Sequence, residues 1–363
     1  MCIRDSPATA QVTHWRIVKG PAFQQTADDT PPAAASSWSV CAFVETADPG
    51  DAASVTISGG GIAGSLPFTL DDGEWILEMD FPTAAAMNAL FPSATAYTIQ
   101  LSGGALGTLS QTASFGPEQY PNTPYLTGST FTDVQSYEPS APFTLTWNDP
   151  GPLTQISGVS VFEVFDANDD DVFTEVTVGG ATSATVAACT LPPSQVLEGF
   201  LEFTNAMLVP GAGGFGLDGT SSHNVGLDFA ITTTAGPAAV ETQRLGSPPN
   251  PAAFQAGVSS GPVLGASWDP VIDHASFAAD AILDVVIVDV GPPINVPFGS
   301  GTLLCSIPAP ELIFTAAPGA PFAIPVPDVC ALAGLAACSQ GASVSPTTGL
   351  VLANALDLVF GLH

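Results

Sequence analysis

The sequence predicts an all-β protein of tandem β-sandwich domains, three in a row. Three observations predict it. Apolar residues recur with a period of two along short segments, glycine and proline punctuate those segments, and helical periodicity is scarce. With 363 residues of which 46% are hydrophobic, the chain has material for two or three cores. Its 36 glycines and 34 prolines make about a fifth of the chain, below the roughly 25–30% that marks low complexity. They read as turns.

In chain order, GEWILEMDF places Trp75, Leu77, Met79 and Phe81 on one face and Glu74, Glu78 and Asp80 on the other. TAAAMNALF (83–91) predicts two helical turns, with Thr83 as N-cap and Met87, Leu90 and Phe91 inward. Tyr97, Ile99 and Leu101 alternate in YTIQL, as do Phe143, Leu145 and Trp147 in FTLTW and Leu227, Phe229 and Ile231 in GLDFAIT. One apolar and one wet face per strand indicates antiparallel sheets. AILDVVIVDV is apolar on both faces except at Asp284 and Asp289, which predicts a central strand. LVLANALDLVFGLH predicts a last strand running to the end.

The expected organisation is a lead over 1–9, sandwich domains over 10–117 and 118–236, a linker over 237–250 and a C-terminal sandwich over 251–363. The linker expectation rests on PAAVETQRLGSPPNP, where prolines and polar residues interrupt all periodicity. The opening MCIRDS reads as the in-frame translation of a sequencing adapter and is kept out of fold reasoning.

Charge is the strongest compositional signal. Four Lys and Arg stand against 34 Asp and Glu, for a net charge of −30, and no Lys or Arg lies between Lys19 and Arg244 or after Arg244. Nucleic acid and anionic membrane surfaces are therefore excluded as partners, because both need clustered Lys and Arg. Carboxylates between those two positions must be solvated, hydrogen-bonded or bound to cations. No apolar run of about 18 residues predicts a transmembrane helix.

Chemistry-bearing patterns are few. FDANDDDVF offers Asp166, Asn168, Asp170 and Asp171 as oxygen ligands for calcium, against a plain solvated hairpin turn; position six of the loop carries Asp171 where an EF-hand-type loop needs glycine. Gly257, Ser259 and Gly261 satisfy G-x-S-x-G, with Asp269, Asp273 and His274 following, but SGPVLGASW is no helix and the pattern reads as a loop. Gly211, Gly213 and Gly216 match G-x-G-x-x-G without a strand–helix context, so no dinucleotide site is expected. Glu198 and Glu202 share one strand face; the exposed strand explains them better than a glycosidase pair does. His14, His223, His274 and His363 have no partner at zinc-ligand spacing.

Leaving Cys2 aside, the five cysteines are 41, 189, 305, 330 and 338. A Cys330–Cys338 bridge around ALAGLAA is expected, with Cys305–Cys330 as the rival, and Cys41 and Cys189 as buried thiols.

The stretch LGSPPNPAAFQAGVSSGPVLGASWDPVIDHASF, with GTLLC, PFAIPVPDVCALAGLAACSQGASV and LANALDLVFG, resembles a C-terminal module of secreted planctomycete-type bacterial proteins. VKGPAFQQTADDTP and FTLTWN resemble fibronectin-III-like or immunoglobulin-like modules of similar bacteria. The resemblance implies an exported multidomain β protein and no reaction. The expected role is a non-enzymatic structural or adhesion protein of the cell surface or extracellular space, engaging a glycan or another surface protein. The alternative is a carbohydrate-binding module with Trp75, Trp147, Trp268 or Tyr125 as stacking platform; a secreted hydrolase has only the Ser259 pattern behind it.

Overall fold

The computed structural model describes residues 11–151, 158–178, 180–212, 214–258, 261–306 and 312–363. The chain is all-β, with 49% strand and 7% helix, far from the roughly one-third helix of an average soluble protein. It divides into two compact units. The first holds residues up to Tyr137, Phe143–Val186 and Val196–Thr232; the second holds Glu138–Pro142, Ala187–Gln195 and Thr233–His363.

The first unit contains β1 (Val12–Gln24), β2 (Ser37–Thr46), β3 (Ser54–Gly59), β4 (Ser65–Pro67), β5 (Thr69–Asp71) and β6 (Glu74–Phe81). After α1 (Ala84–Leu90) come β7 (Tyr97–Gly103), β8 (Gly107–Ala113), β9 (Phe143–Thr146) and β10 (Gly158–Phe165). β11 (Asp171–Val178), β12 (Ser183–Val186), β13 (Val196–Val209) and β14 (Gly219–Thr232) complete it. Eight strands form one sheet in the order β11-β10-β13-β14-β1-β2-β6-β5, and β4-β3-β7-β8 form a second. Trp15, Ile17, Val40, Ala42, Val44, Trp75 and Leu77 of the large sheet pack with Val55, Ile57, Tyr97, Ile99 and Leu101 of the small one in a single buried cluster. That is a β-sandwich, and the period-two faces explain it.

The large sheet takes strands from both sides of residue 117. Its joint is a parallel pairing of β1 with β14, with Arg16 opposite Thr220 and Gln24 opposite Asp228. Gly219 makes this close approach possible: a Cβ there would lie 2.1 Å from the Trp15 ring. α1 forms as expected, and Thr83 Oγ1 accepts from the Ala86 N–H at 3.2 Å.

The second unit contains β15 (Val240–Arg244), β16 (Phe254–Gln255), β17 (Ser267–Trp268), β18 (Val271–Ile272) and β19 (Leu283–Asp289). β20 (Val296–Phe298), β21 (Gly301–Leu303), β22 (Ile313–Ala316), β23 (Ile324–Pro325), β24 (Ala336–Ser345) and β25 (Gly349–Val359) follow. Its main sheet runs β15-β25-β24-β19-β22, all antiparallel. β19 is an inner strand, as its two apolar faces imply. Asp284, fully buried there, is satisfied by Ser343 Oγ at 2.6 Å and the Gly319 N–H at 2.7 Å. Residues 240–244, inside the segment expected as linker, form the edge strand β15, because β25 offers its free edge to them.

Candidate functional site

The expected calcium ligands lie in the turn joining β10 to β11. Asp166 Oδ1 accepts from the backbone N–H of Asn168 at 2.7 Å and of Asp170 at 3.1 Å, and Asp166 Oδ2 accepts from Asn168 Nδ2 at 3.3 Å. These bonds, the Asn168 N–H first, hold the Asp166 carboxyl below the usual carboxylate range. Asp171 Oδ2 accepts from Thr174 Oγ1 at 2.7 Å. Asp166 is thus engaged by its own turn, an Asx-type motif. Among the described residues no group of three or more His, Cys, Asp or Glu side chains is gathered to hold a metal.

Beside this turn, a cleft of about 430 Å³ is lined by Gln24, Asp166, Asp169, Glu198 and Asp228. Asp228 sits mid-strand in β14, where burial and then the Glu198 charge push its carboxyl up to about 6. A second concavity, about 520 Å³, crosses the outer face of the same sheet. Half-buried Phe43, Phe165 and Phe200 line it together with Arg16, Glu78, Glu163 and Glu202. The Arg16 guanidinium lies 4.4 Å from the Phe43 ring centroid. Glu202 accepts from Thr204 Oγ1 at 2.6 Å and from Asn224 Nδ2. Burial, then the Glu202 charge, raises the Glu163 pKa, and burial pushes the Cys41 thiol up to about 12. Glu198 and Glu202 therefore share a face but line different hollows.

The other expected patterns resolve into structural roles. Ser259 lies outside the described residues. The carboxylate within 4 Å of His274 is that of Asp284, at 3.8 Å from Nδ1. Gly211, Gly214 and Gly216 belong to a tight connection between β13 and β14, where Gly211 O accepts from both Gly214 N at 3.0 Å and Gly216 N at 3.1 Å. Gly213 lies outside the described residues. Trp75, Trp147 and Trp268 are core residues, 8%, 3% and 1% exposed, and form no platform; Tyr125 alone of the four is partly exposed. The partly exposed aromatics in the outer-face hollow are phenylalanines, which a search for tryptophan and tyrosine misses.

The disulfide expectation is corrected. Cys330 is bonded to Cys189, and Cys305 to Cys338; Cys41 is the free thiol among the described residues. Cys189 is brought in by the short 187–195 excursion that belongs to the second unit, a long-range return that spacing does not reveal. Cys305 meets Cys338 because Arg244 fastens the chain before it: Nη2 donates to Leu304 O and Nη1 to Ile294 O, both at 3.1 Å, while Asp357 takes Nε at 2.8 Å.

One constellation has no counterpart among the sequence expectations. Lys19 is 0% exposed, on the inward face of β1 after Trp15 and Ile17. Its Nζ donates to Asn88 Oδ1 at 2.8 Å and to Phe91 O at 3.1 Å, and lies 5.2 Å from the Phe115 ring centroid. On the other side of the same carboxamide, Asn88 Nδ2 donates to Glu118 Oε1 at 3.3 Å. Nearby, His223 is 3% exposed, and burial lowers its pKa to about 4. The available signal was the alternation Trp15, Ile17, Lys19, which puts a lysine on an apolar face.

No protein-family profile matches the sequence, and no curated protein does. Solved structures that match include one from a study of host cell surface retention of a 1.5-MDa bacterial ice-binding adhesin, at 12% identity and TM-score 0.20, covering 99% of this chain and 100% of that one. Another is the FN1-FN3 domains of chicken CNTN1, at 8% identity and TM-score 0.18, covering 97% and 99%. At those TM-scores neither likeness fixes the fold or the role. No helix among the described residues is long and apolar enough to cross a membrane.

Proposed function

We propose that this is an exported, non-enzymatic β-sheet protein with a structural or adhesive role outside the cytoplasm. The observation that carries the reading is the pair of disulfides, Cys189–Cys330 and Cys305–Cys338, in the second unit. Such bonds persist in oxidising compartments and are rare in reducing ones. The net charge of −30 and the resemblance of residues 245–361 to a module of secreted proteins agree with it. The test is to express the chain behind an export signal and count thiols in the unfolded, unreduced protein. Blocked thiols at 189, 305, 330 and 338 are expected, together with display on the cell surface or release. Four free thiols at those positions in the exported, folded chain would sink the proposal.

A second reading, glycan binding, is favoured by the outer-face hollow. Phenylalanine rings beside carboxylates suit a sugar, whose C–H faces stack while its hydroxyls donate. Glycan-array binding that is lost in Phe200→Ala would move the role from structural to recognition.

A further inference from the structure

The fully buried Lys19 amine rests against a side-chain amide, with a carboxylate on the far side of that amide. A buried lysine is ordinarily matched by a carboxylate, because an unpaired charge in a core is costly. Among the described residues no carboxylate oxygen lies within 4 Å of Nζ; its acceptors are the neutral Asn88 Oδ1 and Phe91 O. Phe91, Tyr97 and Phe115, each at most 1% exposed, meet in sequence beside it, tilted at 5.8 Å and edge-to-face at 5.6 Å. Burial lowers the amine's pKa, the Glu118 charge opposing. Burial thus favours the uncharged amine, which is the nucleophilic form of lysine.

The geometry points to an intramolecular amide bond between Lys19 and Asn88, formed with Glu118 as proton carrier. Nζ attacks Cγ of Asn88, the atom bonded to the oxygen it already touches. The Nζ–Cγ bond forms and the Cγ–Nδ2 bond breaks. Nδ2 takes its proton from the Glu118 carboxyl, which solvent resupplies at that exposed position, while Nζ sheds one proton, so protons balance and one ammonia leaves. No oxidant, reductant or co-reactant is required. Holding both partners on fixed elements converts a slow aminolysis into an intramolecular step, and the Phe115 ring covers one side of the amine. Glu118 is a catalytic residue in this step because it touches the departing nitrogen. The product ties β1 covalently to α1, 69 residues apart. This proposal does not depend on where the protein is exported or what it binds.

The test is the intact mass of the purified, reduced chain. A deficit of one ammonia, about 17 Da, is expected against the sequence mass, with a branched chymotryptic peptide joining the Lys19 and Asn88 segments. Trypsin acting on the denatured chain should no longer cut after Lys19. Glu118→Gln, at an exposed position where folding is undisturbed, should keep the full mass and restore that cut. Asn88→Ala should do the same, and Lys19→Met, which removes the cut site itself, should show no mass deficit. A wild-type chain at full mass, cut normally after Lys19, overturns the proposal. So does a deficit that survives in Lys19→Met, which marks cyclisation at an asparagine instead, and an undiminished deficit in Glu118→Gln removes Glu118 from the step.

Discussion

The two units solve the same problem with different means. The first joins a long sheet to a short one over a continuous apolar cluster, with Trp15, Tyr97, Phe91 and Phe115 near its centre. The second has one five-stranded sheet and several two-residue strands, too short to hold long loops by ladder bonds alone. It fastens them with side chains instead. Asn354 mimics a strand partner for Phe254, accepting its N–H at 2.7 Å and donating to its O at 2.8 Å. Asn250 and Gln340 both donate to Thr302 O, at 2.7 Å and 3.0 Å, and to Ala353 O, each at 3.0 Å. Two disulfides and the Arg244–Asp357 pair complete the set. Regular sheet packing tolerates an acid-rich, base-poor sequence; irregular loops need explicit cross-links.

The largest test of that contrast is reduction. Cys189–Cys330 spans 141 residues, and removing a native bridge of that reach costs about 4–5 kcal/mol in the loop-entropy account. Calorimetry with and without reductant should show the second unit's transition moving down while the first unit's holds. Equal movement of both would break the comparison. Next, Asn354→Ala leaves the buried Phe254 N–H and C=O without partners, an expected loss of about 1–3 kcal/mol, seen in the second transition alone.

A smaller effect sharpens the description of the first unit. Asp228 is raised from 3.8 to about 6, so its contribution to stability is full below pH 3.8 and is lost as pH rises to about 6. His223 is lowered from 6.5 to about 4, so its contribution is full above pH 6.5 and is lost as pH falls to about 4. The two slopes oppose each other over most of that window. Asp228→Asn should expose the histidine's slope, with stability of the first unit rising by about 2–3 kcal/mol from pH 4 to 6.5. A flat profile in denaturant titrations of that variant would show that His223 is more hydrated than its burial implies. Smallest is the outcome of native trypsin digestion. Arg244 lies in β15 and is held by Asp357, so cleavage there should be slow, whereas an exposed linker would split at once.

Much of the fold was legible in the sequence. The face of Trp75, Leu77 and Met79, the Thr83 cap of α1 and the inner position of β19 all follow from residues within ten positions of one another. The carboxylate loop was legible as a turn, but not that Asp166 would be taken up by the N–H groups of Asn168 and Asp170. Cysteine spacing pointed to a local bridge around ALAGLAA, while Cys330 found a partner 141 residues away. The Lys19 constellation draws on β1, α1 and the segment after β8, and no motif spans them.

By itself, the sequence determined the strand-rich class, the acidic and base-poor surface, and which face of each strand is apolar. These depend on local periodicity and composition, which the covalent chain carries directly. Only the tertiary structure decided that β1 and β14 lie side by side, which cysteines meet, and that one of the few amines in the chain is shut away against an asparagine. Those are choices among partners distant in the chain, made by how whole sheets close on one another, and no short window of residues encodes them.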